Sequence, residues 1–131
     1  AVDKANTLRD ELKLDTRFIC TNVYDTCDHL DGETFDIVFV SIGSLCWLPD
    51  IARWAKLVAS LLKPGGLLHI GMKTGTGEHR DRLGRLYSYY SEAELRSLLA
   101  DAGLTSDGSW TGRDIGLSGE MSDWVVIHAH G

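Results

Sequence analysis

The 131-residue sequence has little of what marks a membrane, secreted or metal-dependent protein. No apolar run approaches the roughly 20 residues that a helix needs to cross a bilayer, and no targeting motif is present. The three cysteines, Cys20, Cys27 and Cys46, are odd in number and follow no signal peptide, which predicts reduced thiols in a cytoplasmic protein. Cys27-x-His29 and His128-x-His130 lack the four-ligand spacing of a zinc site, so no metal is expected. Basic charge is scarce, with 13 Lys and Arg against 19 Asp and Glu and a net charge of −6, and such a surface repels nucleic acid. The phosphate-loop pattern GxxxxGK[ST] is absent, and Gly75-Thr76-Gly77 neither follows the first strand nor carries a third glycine.

What is present reads as one α/β domain over residues 1–131, long enough for a single core. Val2, Ala5, Leu8 and Leu12 recur at helical spacing and predict a helix over residues 1–14. Residues 17–23, Arg-Phe-Ile-Cys-Thr-Asn-Val, alternate like a strand. Residues 24–34 form an acidic connection with a turn at Asp31-Gly32. The run from Phe35 to Ser41 is nearly all apolar, as in a parallel interior strand buried on both faces. Ile51, Trp54, Ala55, Val58, Leu61 and Leu62 form the apolar stripe of a helix over residues 50–63, which Pro64-Gly65-Gly66 stops. Residues 67–71 read as a second buried strand and residues 71–84 as a loop. Ser91 and Glu94 form a capping box for a helix over residues 91–102, with Gly103 just past its end. A weak strand over 104–110, a loop over 111–123 and a firm strand over 124–130 complete the chain. Alternating strands and helices predict a mostly parallel sheet with helices on its faces.

Among the candidate functional residues, the stretch from Lys73 to Arg85 carries five cations, His79 included, diluted by Glu78 and Asp81. It reads first as a solvated loop and second as an anion-binding one. Cys46 reads as a small buried hydrophobe before a reactive thiol. Arg85, Tyr87, Tyr89 and Tyr90 precede the capped helix, where aromatic residues chiefly supply buried area. His79 has the head group for a base near neutral pH.

Three separated motifs carry a family resemblance. Phe35-Asp36-Ile37-Val38, the turn Leu61-Leu62-Lys63-Pro64-Gly65-Gly66-Leu67-Leu68, and Glu94-Leu95 through Ala102-Gly103-Leu104 followed by Trp124-Val125-Val126-Ile127 resemble, in that order, the class I S-adenosylmethionine-dependent methyltransferases. The resemblance covers essentially the whole chain. It implies a Rossmann-like three-layer sandwich with an antiparallel C-terminal strand, and methyl transfer to a small molecule. That reaction requires two reactants held in line and shielded from water, without a metal or a nucleophilic triad. Carried over residue by residue, the family's cofactor positions fall on Asn22 and Val23 after the third strand, and on Ser41, Ile42 and Gly43 after the fourth. An acid is commoner where Asn22 stands, and Asn22 and Ser41 can equally serve only to end strands. Substrate-side candidates are Trp47, His79, Arg85 and Tyr87.

The resemblance also implies features that the sequence lacks. The family's glycine-rich turn between first strand and first helix, where backbone N–H groups receive the cofactor, has no counterpart. Nor has the ribose-holding acid after the second strand, since Asp3 stands too early in a helical pattern. The chain opens on Ala1 without an initiator Met, which reads as a processed chain or a fragment beginning after the family's second strand. In the family strand order 3-2-1-4-5-7-6, the strand from Phe35 to Ser41 would then be a bare apolar edge. The expectation is a truncated or rearranged sheet in which residues 17–23 slide beside that edge, or a homodimer that covers it. From Gly71 onward the sequence resembles a different branch of the family, so a chimera is a further reading. A non-catalytic folded relative and a module that dimerises through the strand edge stand as alternatives to the enzyme.

Overall fold

The computed structural model describes residues 1–116 and 119–131. They form two compact units, residues 1–32 and residues 33–131. The first holds helix α1 (Val2–Leu12), which buries none of its residues, and a 3₁₀ helix over Val23–His29. Its turn at Asp31-Gly32 has positive φ at both residues, as the sequence predicts. Residues 17–23 are not a strand. Alternating polarity suits a strand, but a strand exists only through a ladder to a partner, and the sheets contain no segment from this stretch.

The second unit holds β1 (Phe35–Val40), α2 (Ile51–Leu61), β2 (Leu62–Lys73), β3 (Gly77–Arg80), β4 (Leu86–Tyr89), α3 (Glu92–Asp101), β5 (Thr105–Ile115) and β6 (Met121–His130). Its main sheet runs β1-β2-β6-β5. β1 and β2 pair in parallel, and β6 is antiparallel to both β2 and β5, so three strands point one way and the last strand opposes them. The α/β, Rossmann-like class is as expected. The sheet is not rearranged: its order repeats the family's 4-5-7-6, and β1 pairs with β2 alone.

The core lies on one face. Leu68, Ile70 and Met72 of β2 stand opposite Ala129, Ile127 and Val125 of β6, and all six are at most 1% exposed. Helix α2 packs on β1 and β2, α3 packs on β5, and the two helices touch. The α2 stripe is buried as its spacing predicts, and the carboxylate of Asp50 caps this helix by accepting from the backbone N–H of Arg53 at 2.8 Å. Helix α3 carries the predicted capping box, with the Ser91 hydroxyl accepting from the Glu94 N–H and the Glu94 carboxylate from the Ser91 N–H.

Several boundaries differ from expectation. α2 ends at Leu61, and Pro64-Gly65-Gly66 forms a bulge within β2, between the Phe35–Leu62 and Ile37–Leu67 pairs, with Gly65 at φ +74°. Residues 71–84 are not one loop. β2 continues to Lys73 because β6 continues beside it, and β3 pairs with β4 in a separate hairpin. Residues 111–115 and 121–123 extend β5 and β6 as paired strands; residues 117–118 of the expected loop lie outside the described residues. β1 is an edge strand rather than an interior one, with Ile37 61% and Phe39 67% exposed.

The sheet face opposite the core carries a row of rings. Phe39 stacks on His69 at 4.6 Å, Nδ1 of His69 lies 2.9 Å from Nε2 of His128, and Trp110 meets His128 edge-on at 4.8 Å. One imidazole must donate and the other accept, so the contact requires a neutral ring. Burial, then the neighbouring His128, holds His69 below its ordinary value. The unfolded chain therefore binds more protons near neutrality, and stability is lost as pH falls below about 6.5.

Two outcomes follow. Ser91→Ala removes the α3 cap and costs about 1 kcal/mol in urea unfolding at pH 7.5. Lowering pH from about 7.5 to 5.5, a range above the ordinary carboxylates, lowers the urea midpoint of the parent; His69→Phe, which keeps a stacking ring and removes the titration, flattens that dependence.

Candidate functional site

The site is built where parallel strands β1 and β2 end. The loop after β1, Ser41-Ile42-Gly43, lies across β2 at Gly71: a Cβ there would collide with Cγ1 of Ile42 and come within 3.0 Å of its backbone nitrogen. Only glycine lets the loop lie so close. The hydroxyls of Ser41 and Ser44 are 3.4 Å apart. A 3₁₀ turn over Leu45–Trp47 follows, with Leu45 and Cys46 buried and Trp47 projecting. The Cys46 thiol donates to the Gly43 carbonyl at 3.5 Å, and burial pushes it above the ordinary thiol range, which makes it an anchor rather than a nucleophile.

The facing wall comes from the β3–β4 hairpin. Its turn is organised by Asp81, whose Oδ1 accepts from the backbone N–H groups of Leu83 at 2.9 Å and Arg85 at 3.0 Å. Oδ2 accepts from Nε of Arg85 at 2.8 Å and from Nη2 at 2.6 Å. Burial pushes the Asp81 carboxyl up, but the Arg85 side chain and these backbone donors outweigh it and hold the group below the usual carboxylate range. The same bond to Asp81 raises Arg85 further. Arg85 is thereby held with its guanidinium carbon 5.7 Å from the ring centres of both Trp47 and Tyr87. Trp47 and Tyr87 pack at 4.4 Å, and Nζ of Lys73, at the end of β2, stands 5.2 Å from the Tyr87 ring. Burial pushes the Tyr87 phenol up, so it stays neutral at physiological pH.

Ile42, Gly43, Trp47, Lys73, Arg85 and Tyr87, with Ile115 and Gly116, line a cleft of about 370 Å³. That volume lies within the roughly 300–1,000 Å³ usual for small-molecule sites. Its position, beyond the carboxyl ends of parallel strands, is where α/β sheets bind ligands. The structure thus brings together Ile42, Gly43, Trp47, Arg85 and Tyr87 of the sequence candidates. Ser41 lies on the same loop outside the lining. His79 is exposed on β3, opposite Tyr87 in the hairpin register, and also outside the lining. Asn22 and Val23 belong to the unit of residues 1–32, where the Asn22 carboxamide oxygen caps the 3₁₀ helix by accepting from the Tyr24 N–H at 3.0 Å. The sequence does not single out Gly71 or Ile115, and it marks Lys73 only as the start of the cationic stretch of residues 73–85. The turn signal Asp81-x-x-Gly84 could have placed the hairpin, and with it Arg85.

The residues present fit only an edge of S-adenosylmethionine. The loop after β1 can border it. The chain's first glycine is Gly32, and the one glycine of the turn from β1 into the Leu45–Trp47 helix, Gly43, does not make the family's glycine-rich loop. Helices α2 and α3 each give one of their N-terminal N–H donors to a cap of their own, the Asp50 and Ser91 side chains. Among the described residues no group of three or more His, Cys, Asp or Glu could hold a metal ion, and no helix is long and apolar enough to cross a membrane.

No curated protein matches the sequence. A family described as "methyltransferase domain" matches residues 1–70. Among solved structures, an S-adenosylmethionine-dependent methyltransferase from Methanosarcina mazei superposes with TM-score 0.76 at 22% identity, over 99% of this chain and 76% of its own. The 1,6-didemethyltoxoflavin-N1-methyltransferase of Burkholderia thailandensis, solved with 1,6-didemethyltoxoflavin and S-adenosylhomocysteine, gives 0.72 at 26% identity, over 97% of this chain and 56% of its own. The [4+2]-cyclase SpnF gives 0.71 at 16% identity, over 98% of this chain and 61% of its own. The chain therefore spans less than two thirds of the toxoflavin enzyme and of the cyclase. With the family match over more than half of its residues and a sheet in the expected strand order, this chain belongs to the class I S-adenosylmethionine-dependent methyltransferase family.

Proposed function

We propose that the chain supplies the acceptor side of an S-adenosylmethionine-dependent methyl transfer to a small molecule. The observation that carries this reading is the cleft at the carboxyl ends of β1 and β2, walled by the loop that the family places beside the cofactor. S-adenosylmethionine, when bound, supplies an electrophilic methyl group on a sulfonium. Ser41, Ile42 and Gly43 would border it, by the family resemblance Asn22 and Val23 would be its adenine neighbours, and the reading takes residues 1–131 as one methyltransferase-like domain. The chain's own contribution is to bind, orient and desolvate the acceptor, which is most of what an in-line displacement requires. Neither Cys46 nor Tyr87 is suited to act as a base or nucleophile, because burial raises both.

The same reading includes a homodimer. The exposed Ile37 and Phe39 lie on an unpaired strand edge, the kind of surface that natural sheets cover. A second copy or residues outside this chain would also complete the cofactor site. A chimera joined near Gly71 is a second reading, favoured by the family match that stops at residue 70.

Titration calorimetry with S-adenosylhomocysteine at up to about 1 mM, which reads binding free energies near −4 kcal/mol, gives a measurable heat. Light scattering gives twice the 14.4 kDa chain mass, and Ile37→Lys returns it to the monomer. A monomeric parent without detectable binding overturns the enzyme reading for this chain and leaves the non-catalytic relative.

A further inference from the structure

We propose that the cleft selects a planar, anionic small molecule: a π-system carrying one negative charge at its rim, such as an aromatic carboxylate or an ionised heterocycle. That this molecule is the methyl acceptor rests on the function proposed above; that it binds does not.

Three observations converge on this chemistry. The first is charge. The chain carries −6, yet the cleft is lined by Lys73 and Arg85 and by no carboxylate. Both cations stand within 5.7 Å of the centre of the Tyr87 ring. Lys73 makes no ion pair with any described residue. Arg85 spends Nε and Nη2 on Asp81, which leaves Nη1 to donate to a ligand. In the adjoining cleft, which shares Lys73, Asp114 is present with its Oδ1 already accepting from the Ile115 N–H at 2.7 Å.

The second observation is exposed apolar surface. Ile42, Trp47 and Ile115 are 49%, 45% and 66% exposed, although each is large and hydrophobic, and all three line this one cleft. A ligand that covers them removes apolar area from water. A purely inorganic anion would use the cations and leave these walls wet.

The third is flatness. Trp47 presents an indole whose packing partner Tyr87 is only 5% exposed. Arg85 is fixed by a buried carboxylate and lies over both rings. A flat ligand can stack on the indole while its charge meets Nη1 of Arg85 and Nζ of Lys73 in charge-assisted bonds. A protonated amine in the same place would meet two like charges, so cationic acceptors are disfavoured.

The test is a binding titration by NMR without any methyl donor. The probes are 2-naphthoate, its neutral amide 2-naphthamide, and the non-aromatic cyclohexanecarboxylate. Naphthoate binds at least about fivefold more tightly than the amide, the size of one solvent-exposed charge contact, and more tightly than cyclohexanecarboxylate, which keeps the charge and lacks the aromatic ring. Lys73→Met narrows the preference for naphthoate over the amide, leaving the share that Arg85 supplies, and Lys73→Arg restores it, with each variant checked for a parental thermal melt. Equal affinity for naphthoate and amide in the parent overturns the proposal and needs no variant. Discrimination that is undiminished in Lys73→Met overturns it as well. Naphthoate binding without S-adenosylhomocysteine binding would reject methyl transfer and keep the cleft; the reverse would keep methyl transfer and reject this selectivity.

Discussion

Strand β2 is hydrogen-bonded along both edges, to β1 in parallel and to β6 antiparallel, and the unit of residues 33–131 is organised by that double pairing. Its alternation does two jobs. Leu68, Ile70 and Met72 point into the core beneath α2 and α3, while His69, Gly71 and Lys73 occupy the other face. Gly71 admits the loop after β1, and Lys73, two residues on, becomes the cleft's unpaired cation among the described residues. A shift of one residue in this register would exchange the two sets, putting the cation into the core and Met72 into the cleft. The hydrophobic pattern that stabilises the fold is therefore the same pattern that aims the site.

What the sequence made legible was local or strongly periodic. The α2 stripe, the capping box of α3 and the apolar runs of β1 and β6 each depend on neighbours within a few residues, and each was found where expected. What was not legible depends on partners distant in sequence. Residues 17–23 have the composition of a strand, but pairing decides whether a strand exists. The β3–β4 hairpin has no apolar alternation in Gly77-Glu78-His79-Arg80, because it bonds only within itself. The sequence leaves Lys73 in a loop, since nothing in Gly71-Met72-Lys73-Thr74 announces that β6 continues alongside. Of the cleft lining, the sequence singles out residues near recognisable motifs and not those contributed by the end of β2 and the far end of β5.

The uncovered surfaces are a second consequence of the same pattern. β1 has the composition of a strand with neighbours on both sides, and it has one. Its face carries the Phe39–His69–His128–Trp110 row, in which rings partly cover one another and the two imidazoles satisfy each other. A fold shared with both a toxoflavin methyltransferase and a [4+2]-cyclase also shows that the sheet alone does not determine the reaction. In the proposed reading the acceptor is recognised by the cleft walls, Trp47, Lys73, and Arg85 with Tyr87, which come from three separate segments.

In the proposed reading, ligand recognition is concentrated where β1 and β2 end. Amide chemical-shift mapping with S-adenosylhomocysteine tests it most directly. The amides of Ser41, Ile42 and Gly43 and the indole N–H of Trp47 are expected to move together with one saturation curve, while Glu78 and His79 on β3 are not. Shifts confined to residues away from that loop, or none at all, would contradict it.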